Sequence, residues 1–347
     1  MRSAAANFST RSRGFSLVEL MVAMVLGLIL LAGLISTFVA DRQAYQTNEN
    51  MARLQETARI VNELMGREIR AAGGNPCGTP MVANVITNAS SNWWSNWTNG
   101  TLIGFDESQA VSFKPFGNNQ ADRVQGTDAL LILSATLQRG VAISVHNHTS
   151  AEFQLDTADH DLDDGDIAMV CDPYTAAIFQ VTKVHSGTTP KVEHKTGNSA
   201  SMPGNCSIGL GYPTACTTSG ALKDFTGGTL VRLHASFWYV GKNGNGGTSL
   251  YRLVLRSNSS SIPPSATVIT EEIVENISDM QIQYLAKNGN SLASNYVDAS
   301  SVSDWSLIVA VRPTLSLQTK DNVGTTGSRI TRTLSFTTSI RNREEVQ

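Results

Sequence analysis

The sequence is poor in charge, and the first part of the chain has no proline. Only 16% of its 347 residues are Asp, Glu, Lys or Arg, and the formal net charge is −3. No proline occurs between residues 15 and 75, so nothing in that stretch forces a helix to kink or end. The chain also lacks a P-loop, a dinucleotide-binding fingerprint and any nucleophile–base motif. These absences argue against an enzyme, and no catalytic residue and no cofactor are predicted.

A membrane-length apolar run lies near the start of the chain. Residues 20–40 carry no formal charge and are rich in Leu, Val, Ile and Met. As a helix they would span about 32 Å, which is close to the thickness of the hydrocarbon core of a bilayer. Because Arg2, Arg11 and Arg13 precede the run, the positive-inside rule predicts a cytoplasmic N-terminus. A cleaved secretory signal and a plain anchor are the alternatives. The run is too long for a typical signal, and a cut after Ala40 would place the bulky Phe38 near the cleavage point, while a plain anchor does not explain Glu19.

The helical pattern continues beyond the apolar run. Apolar residues recur at spacings of three, four and seven, as in a helix with one apolar face: Met51, Leu54, Ala58, Val61, Met65 and Ala72, with Ile60, Leu64 and Ile69 widening the stripe. Gly73, Gly74, Asn75 and Pro76 then end the pattern. One helix of roughly 85 Å is therefore predicted from residue 15 to about residue 72. Its first half, 15–40, is transmembrane, and its second half, 41–73, is amphipathic.

The remainder, residues 74–347, is predicted to be a β-rich head. Gly, Ser, Thr and Asn are abundant, and short apolar or alternating runs recur at 129–133, 141–145, 167–170, 178–184, 230–240, 250–255, 282–285, 307–311 and 330–340. Segments 196–228 and 256–268 are predicted to be loops. The fold class is therefore α+β, with a long N-terminal transmembrane and amphipathic α-helix packed on a β-rich globular head.

A short motif precedes the apolar run. Residues 13–20, RGFSLVEL, place Gly, Phe and Glu in order after a basic leader. This segment resembles the class III signal of type IV pilins and type II secretion pseudopilins. The resemblance implies that a prepilin peptidase cleaves between Gly14 and Phe15, removing residues 1–14, and that Phe15 is then N-methylated. Glycine suits the cleavage point because it has no Cβ to obstruct a protease cleft.

The carboxylate of Glu19 has a physical explanation within this resemblance. A charged group next to hydrocarbon is costly and normally finds a partner. After cleavage the new α-amino group of Phe15 would lie one helical turn away, at i and i+4. In the pilin family, pairing of this carboxylate with its own or a neighbour's amine is thought to help set register during filament assembly. Glu19 is therefore predicted to be an assembly contact, and an idle carboxylate at headgroup level is the alternative.

Further segments resemble PilW-like minor pilins. LQETAR at residues 54–59 and REIRAAG at 67–73 resemble the family's stalk, and later segments resemble its head: 166–181, 249–252, 279–284 and 329–343. The resemblance implies a minor pilin that helps prime and assemble type IV pili near the tip, and so contributes to twitching motility and cell adhesion. Unlike many major pilins, the chain has no proline inside the apolar helix.

The resemblance also implies partners and a location. The partners are the prepilin peptidase, other minor pilins, the major pilin and a tip adhesin. The chain would cross the bacterial inner membrane once, with its head in the periplasm, and then join the pilus at the cell surface. Two alternatives remain open, namely a minor pseudopilin of a type II secretion system and a membrane-tethered adhesin or sugar-binding protein.

The four cysteines lie in the predicted periplasmic part, where disulfides form. Three pairings are possible. Cys206 and Cys216 bracket a Gly/Pro-rich loop, so we pair them, which leaves Cys77 with Cys171. The second bridge would fasten the end of the helix to the sheet and stabilise the fold by roughly 4 kcal/mol. A metal–thiolate site is not expected because no CxxC pair occurs.

Two polar segments are candidate metal sites. Residues 156–166 contain six aspartates, but an EF-hand is excluded because Asp164 stands at the glycine position and Val170 at that of the last glutamate. A solvated acidic turn is predicted, with a looser calcium site as the alternative. His146 and His148 share a predicted strand face, and they are predicted to be surface histidines rather than zinc ligands.

A tryptophan-rich loop is the remaining candidate for binding. Trp93, Trp94 and Trp97 lie in a Ser/Asn-rich stretch and are a candidate surface for a sugar or protein. The alternative is that one or two of them anchor the loop on the core. Nucleic acid is not an expected partner, because loss of the three leader arginines would lower the formal charge from −3 to −6.

Overall fold

The computed structural model describes Gly14 and residues 16–97, 100–135, 139–197, 201–289, 291–323 and 327–341. One helix, α1, runs over Leu17–Ala71, and its length is about 83 Å. It ends where Gly73 adopts a φ of +70°, a left-handed conformation that glycine tolerates without strain. A β-rich head follows, so the predicted α+β class is confirmed. Phe15, the first residue of the predicted helix, lies outside the described residues.

The strands of the head form three sheets. The first has the order β1 (Val82–Asn84), β7 (Ala176–Gln180), β6 (Ile167–Cys171), β10 (Thr229–Arg232), β4 (Val141–Asn147), β5 (Glu152–Leu155), β9 (Lys191–Glu193) and β8 (Lys183–His185). The second has the order β13 (Ser265–Glu275), β12 (Thr248–Asn258), β11 (His234–Lys242), β3 (Ala129–Ser134) and β2 (Leu102–Phe105). The third has the order β15 (Ser291–Leu292), β14 (Ile277–Asn288), β16 (Ile308–Gln318) and β17 (Thr331–Ser335), and β18 (Thr338–Ser339) pairs with β16. Short 3₁₀ helices occur at Ala89–Ser91, Ala299–Ser301 and Trp305–Leu307.

The second sheet is the middle layer of the head. On β3, Leu130 and Ile132 face a core shared with α1 and the third sheet, whereas Leu131 and Leu133 face a core shared with the first sheet. All six residues of β3 are buried. Burial of both faces explains why this strand is a continuous apolar run rather than an alternating one.

The burial of helix α1 differs sharply between its two ends. No residue from 17 to 49 is buried, whereas Leu54, Val61, Met65 and Ile69 are buried against the head. We call residues 17–49 the bare half and residues 50–71 the packed half. The stripe predicted from the sequence contacts the head as expected, except that Ile60 remains 39% exposed.

Two disulfides connect parts of the head. Cys77, six residues after the end of α1, is bonded to Cys171 at the end of β6, with a Cα–Cα distance of 5.9 Å. Cys206 is bonded to Cys216, with a Cα–Cα distance of 5.0 Å. These are the two pairs predicted from the sequence. The first bridge fixes the segment that leaves α1 to the first sheet.

One predicted loop was partly wrong. Segment 256–268 contains the end of β12 and the start of β13, and the whole of β13 was missed. The alternation that marks a half-buried strand is weak in β13, because it lies at the edge of its sheet and no residue in it is fully buried. By contrast, the described part of segment 196–228 contains no strand, as predicted.

Candidate functional site

The start of α1 presents the predicted cleavage and assembly residues to the outside. Gly14 is exposed, and no atom lies within 4 Å of the position where a Cβ would stand. The Ser16 N–H donates to Glu19 Oε2 at 2.9 Å. A carboxylate that accepts from the residue before the first turn satisfies one free N–H and complements the positive end of the helix. Phe15 lies outside the described residues, so its pairing with Glu19 stays a prediction.

The bare half displays a continuous apolar surface as far as Ala40. Its large apolar side chains up to Val39 are between 47% and 73% exposed. The two hydroxyls inside the apolar run are satisfied within the helix, since Ser36 and Thr37 donate to the carbonyl oxygen of Gly33 at 2.8 and 3.1 Å. Because of this run, α1 is the one helix in the described chain that is long and apolar enough to cross a membrane. Such a surface fits lipid or other apolar helices, because each backbone group is satisfied internally.

The packed half carries a buried carboxylate. Glu68 is 1% exposed and accepts hydrogen bonds from Ser236 Oγ at 2.7 Å, Trp238 Nε1 at 2.6 Å and Arg252 Nη1 at 2.6 Å. His234 Nε2 lies 3.3 Å from Glu68 Oε1, the oxygen that also accepts from Arg252. Burial raises the pKa of Glu68, but these partners outweigh it and lower the pKa to about 2. We call these five residues the Glu68 cluster, and it joins α1 to β11 and β12.

The cluster continues to the edge of the second sheet. Arg252 also donates from Nε to Glu271 of β13 at 3.0 Å, and Arg256 donates to the same carboxylate at 3.2 Å. Charge-assisted hydrogen bonds of this kind are directional and stronger than neutral ones. The helix, β12 and β13 are therefore linked through one chain of ionic contacts.

Sequence reasoning missed the role of Glu68, although a signal was present. The residue stands three positions after Met65 and four before Ala72, both of which are fully buried. It is therefore on the apolar face of the helix, where an unpaired charge would be strongly unfavourable. A carboxylate on that face predicts a cationic partner in the head, but the partners themselves lie more than 160 residues away in the chain.

The tryptophan loop packs mainly on the head. Trp94 is 6% exposed. Trp93 is half-buried and stacks on Phe113 with a centroid distance of 5.1 Å, and Trp97 is half-buried against the same core. This packing agrees with the alternative in which the tryptophans anchor their loop. Their use as a binding surface stays a prediction that concerns the exposed edges of Trp93 and Trp97.

Four of the six carboxylates of the acidic turn, those of Asp159, Asp161, Asp164 and Asp166, contact protein donors. Asp164 accepts from the Val184 N–H and from Lys183 Nζ, both at 2.6 Å. Asp166 is buried and accepts from the Asp163 N–H at 2.8 Å. Among the described residues, no three His, Cys, Asp or Glu side chains are grouped so as to hold a metal ion. The turn is thus built by local hydrogen bonds and ion pairs.

The prediction of two surface histidines was wrong for His146. Its side chain is buried, its Nε2 lies 3.1 Å from His194 Nε2, and its Nδ1 accepts from the Phe225 N–H. Burial lowers its pKa to about 4. His148 follows the end of β4 and is half-buried.

A β-bulge explains this error. The pairing of β4 with β5 shifts between Ile143 and Val145, so that one extra residue stands on β4. Because side chains alternate, an extra residue exchanges the two faces of the strand. Val145 is consequently 47% exposed and His146 faces inward.

Two family models match the chain. The prokaryotic N-terminal methylation motif matches residues 9–35, and the type IV pilus-assembly protein W matches residues 237–342. The first match covers Gly14, Glu19 and part of the bare half. The second covers β12 to β18 and most of β11, and so includes Trp238 and Arg252. No curated protein and no solved structure matches the chain.

Proposed function

Since the chain is a PilW-like protein of the type IV pilin superfamily, we propose that it is a minor pilin that helps to prime and assemble type IV pili near the filament tip. The observation that carries this proposal is the division of α1. No residue of the bare half is buried in the described chain, where Thr47 donates a hydrogen bond to the carbonyl oxygen of Val323 in the head, and the packed half is held in the head by the Glu68 cluster. That is the design of a subunit whose apolar stalk is buried by neighbouring molecules.

The proposed cycle begins in the membrane. The prepilin peptidase cleaves after Gly14 and Phe15 is methylated, while the bare half stays in the inner membrane with the head in the periplasm. During assembly the bare half leaves the lipid and packs against the stalks of other pilins. Glu19 then exchanges the Ser16 N–H for an α-amino group, its own or a neighbour's. An ion pair in an apolar surrounding is favourable only when its two groups are correctly placed. The pair therefore favours one register of the stalk against its neighbours.

The head and the stalk helix are firmly connected. The Glu68 cluster fixes α1 to the second sheet, and the disulfide from Cys77 to Cys171 fixes the end of the helix to the first sheet. Lateral contacts of the head with other minor pilins, the major pilin or a tip adhesin would therefore set the position of the stalk as well. We propose a structural role without catalysis, as in the pilus-assembly family.

The first experiment tests processing. Mass spectrometry of the mature protein, taken from a strain with its prepilin peptidase, should give an N-terminus at a methylated Phe15. An unprocessed Met1, or a cleavage near residue 40, would contradict the proposal. The Gly14→Ala variant serves as the matched control, because it should remain unprocessed in the same strain.

The second experiment separates the pilus from the alternatives. Deletion of the gene should reduce the number of surface pili seen by electron microscopy, and the wild-type gene, but not Gly14→Ala, should restore them. Normal pili together with loss of a protein exported by the type II system would instead identify a pseudopilin. Piliation and surface binding that both survive Gly14→Ala would favour the membrane-tethered adhesin. The match to the pilus-assembly model favours the first outcome.

A further inference from the structure

The longest open strand edge in the described head belongs to β13. This strand pairs with β12 through ten registered positions, and on its other side only Met202 forms a bridge, at Ser265. The other terminal strands of the three sheets have two to five residues, whereas β13 has eleven. Beyond the Met202 bridge, the open edge from Thr267 to Glu275 is about 30 Å long.

From Ser265 to Thr270 the edge lacks the usual protection against pairing. Natural sheets protect their edges with charged side chains, above all lysine, and with proline or bulges. β13 contains no proline and no basic residue, and its register with β12 is regular from Ser265 to Glu272. The single irregularity lies near its C-terminal end, opposite Leu250 and Tyr251. The strand is rich in β-branched residues, and Ile269 is 39% exposed. The edge is therefore ready to accept another strand.

The charge of the edge limits what can pair with it. Glu271 is neutralised by Arg252 and Arg256. Glu272 accepts from Ser249 Oγ and Glu275 from Asn245 Nδ2, but neither forms an ion pair with a described residue. Two copies of β13 would place six glutamates along one ladder, and like charges across a strand pair are unfavourable. A strand with basic side chains is the complementary partner.

We propose that the outer edge of β13 is a docking site for an extended strand with alternating β-branched and basic side chains, supplied by the head of a different pilin. Main-chain hydrogen bonds would provide affinity, and Glu272 and Glu275 would select for positive charge. The contacts from Glu271 through Arg252 to Glu68 would hold the docked strand in a fixed relation to α1. Only the source of the strand rests on the proposed function.

A peptide of the stated chemistry tests this site. The probe is a fluorescent heptapeptide, Lys-Thr-Arg-Val-Lys-Thr-Arg, added to the full chain in detergent micelles and followed by fluorescence anisotropy. We expect saturable binding, with a peptide that has glutamate in place of each basic residue at least about tenfold weaker. Glu272→Lys should weaken binding of the basic probe to a similar degree. Asp159→Lys is the matched control, because Asp159 is exposed in the acidic turn and should leave binding unchanged.

Backbone methylation separates strand addition from simple charge attraction. Two versions of the probe carry N-methyl groups on alternate residues, one version along each edge. Only one edge of an added strand faces β13, so one version should bind and the other should not. Equal binding of both versions, or no binding of the parent peptide, would overturn the proposal. A dimer of the full chain that Glu272→Lys abolishes would assign the edge to a second copy and would also overturn it. These assays need no pili, so their outcome is independent of the pilus counts above.

Discussion

The two halves of α1 share one uninterrupted helix but have opposite environments. In the bare half, apolar residues surround the helix from Leu20 to Ala40 and are exposed. In the packed half they form a stripe, and residues such as Val61 and Met65 are fully buried. A helix that is apolar on all sides is shielded from water only by an apolar medium or by several partners. A helix with one apolar stripe is shielded by a single partner. The helix therefore joins a part that folds by itself to a part that other molecules must complete.

The largest expected effect on the stability of the packed half comes from Glu68→Ala. It would leave the buried part of Arg252 and the Trp238 N–H without their shared acceptor, and we expect a loss of about 3–5 kcal/mol in the free energy of unfolding. Urea unfolding of the full chain in detergent, followed by tryptophan fluorescence, measures it. Glu56→Ala, at an exposed position on the same helix, should change stability by no more than about 0.5 kcal/mol. Equal effects of the two variants would show that the cluster does not hold the helix.

Two identical substitutions compare the halves directly. Met65→Ala removes a fully buried side chain and should cost about 2–5 kcal/mol, because it leaves a cavity. Met24→Ala changes a side chain that is 62% exposed and should leave the unfolding of the head unaltered. The same urea titration measures both variants. A large loss from Met24→Ala would mean that the bare half packs on the head.

Acid should loosen the first sheet before it releases the helix. The pKa of His146 is about 4 in the folded chain and near 6.5 when unfolded, so the unfolded state binds the proton more readily. Stability should therefore fall by up to about 3 kcal/mol as the pH drops from 6.5 towards 4. Glu68, with a folded pKa of about 2, is fully stabilising above its unfolded pKa of about 4.5, and its contribution is lost progressively as the pH falls from about 4.5 towards 2.

Hydrogen exchange can test this order. Protection of the amides of β4 and β5 should decrease between pH 6.5 and 4.5, while that of the packed half persists. His146→Gln removes one titrating group and should flatten the pH dependence of the first sheet. Simultaneous loss of protection in both regions would contradict the separation.

The smallest effect on stability, and a large one on assembly, is expected from Glu19→Ala. The residue is exposed and far from the head, so unfolding of the head and membrane insertion should be unchanged. Incorporation into the filament should decrease, because the register contact is lost. Immunoblots of sheared pili and of membranes measure the two fractions. Full incorporation would show that the pairing account of Glu19 is wrong, even if cleavage at Gly14 stands.

Much of the helix was predictable because its signals are local. Its length, its apolar stripe and its end at Gly73 all follow from residues close to one another in the chain. The head was predicted less well. β13 was missed because it lies at an edge, and His146 was misplaced because a bulge exchanges the faces of β4. Neither an edge nor a bulge has a reliable signature in a single strand's sequence.

The sequence by itself determined the features that lie within short stretches of the chain. The motif that contains Gly14 and Glu19 and the membrane-length apolar run can be identified without the folded head. Only the tertiary structure decided which polar groups lie inside, such as Glu68 and His146, and which strand edge stays open. Burial and pairing are set by contacts between residues far apart in the chain, and local patterns do not record those contacts.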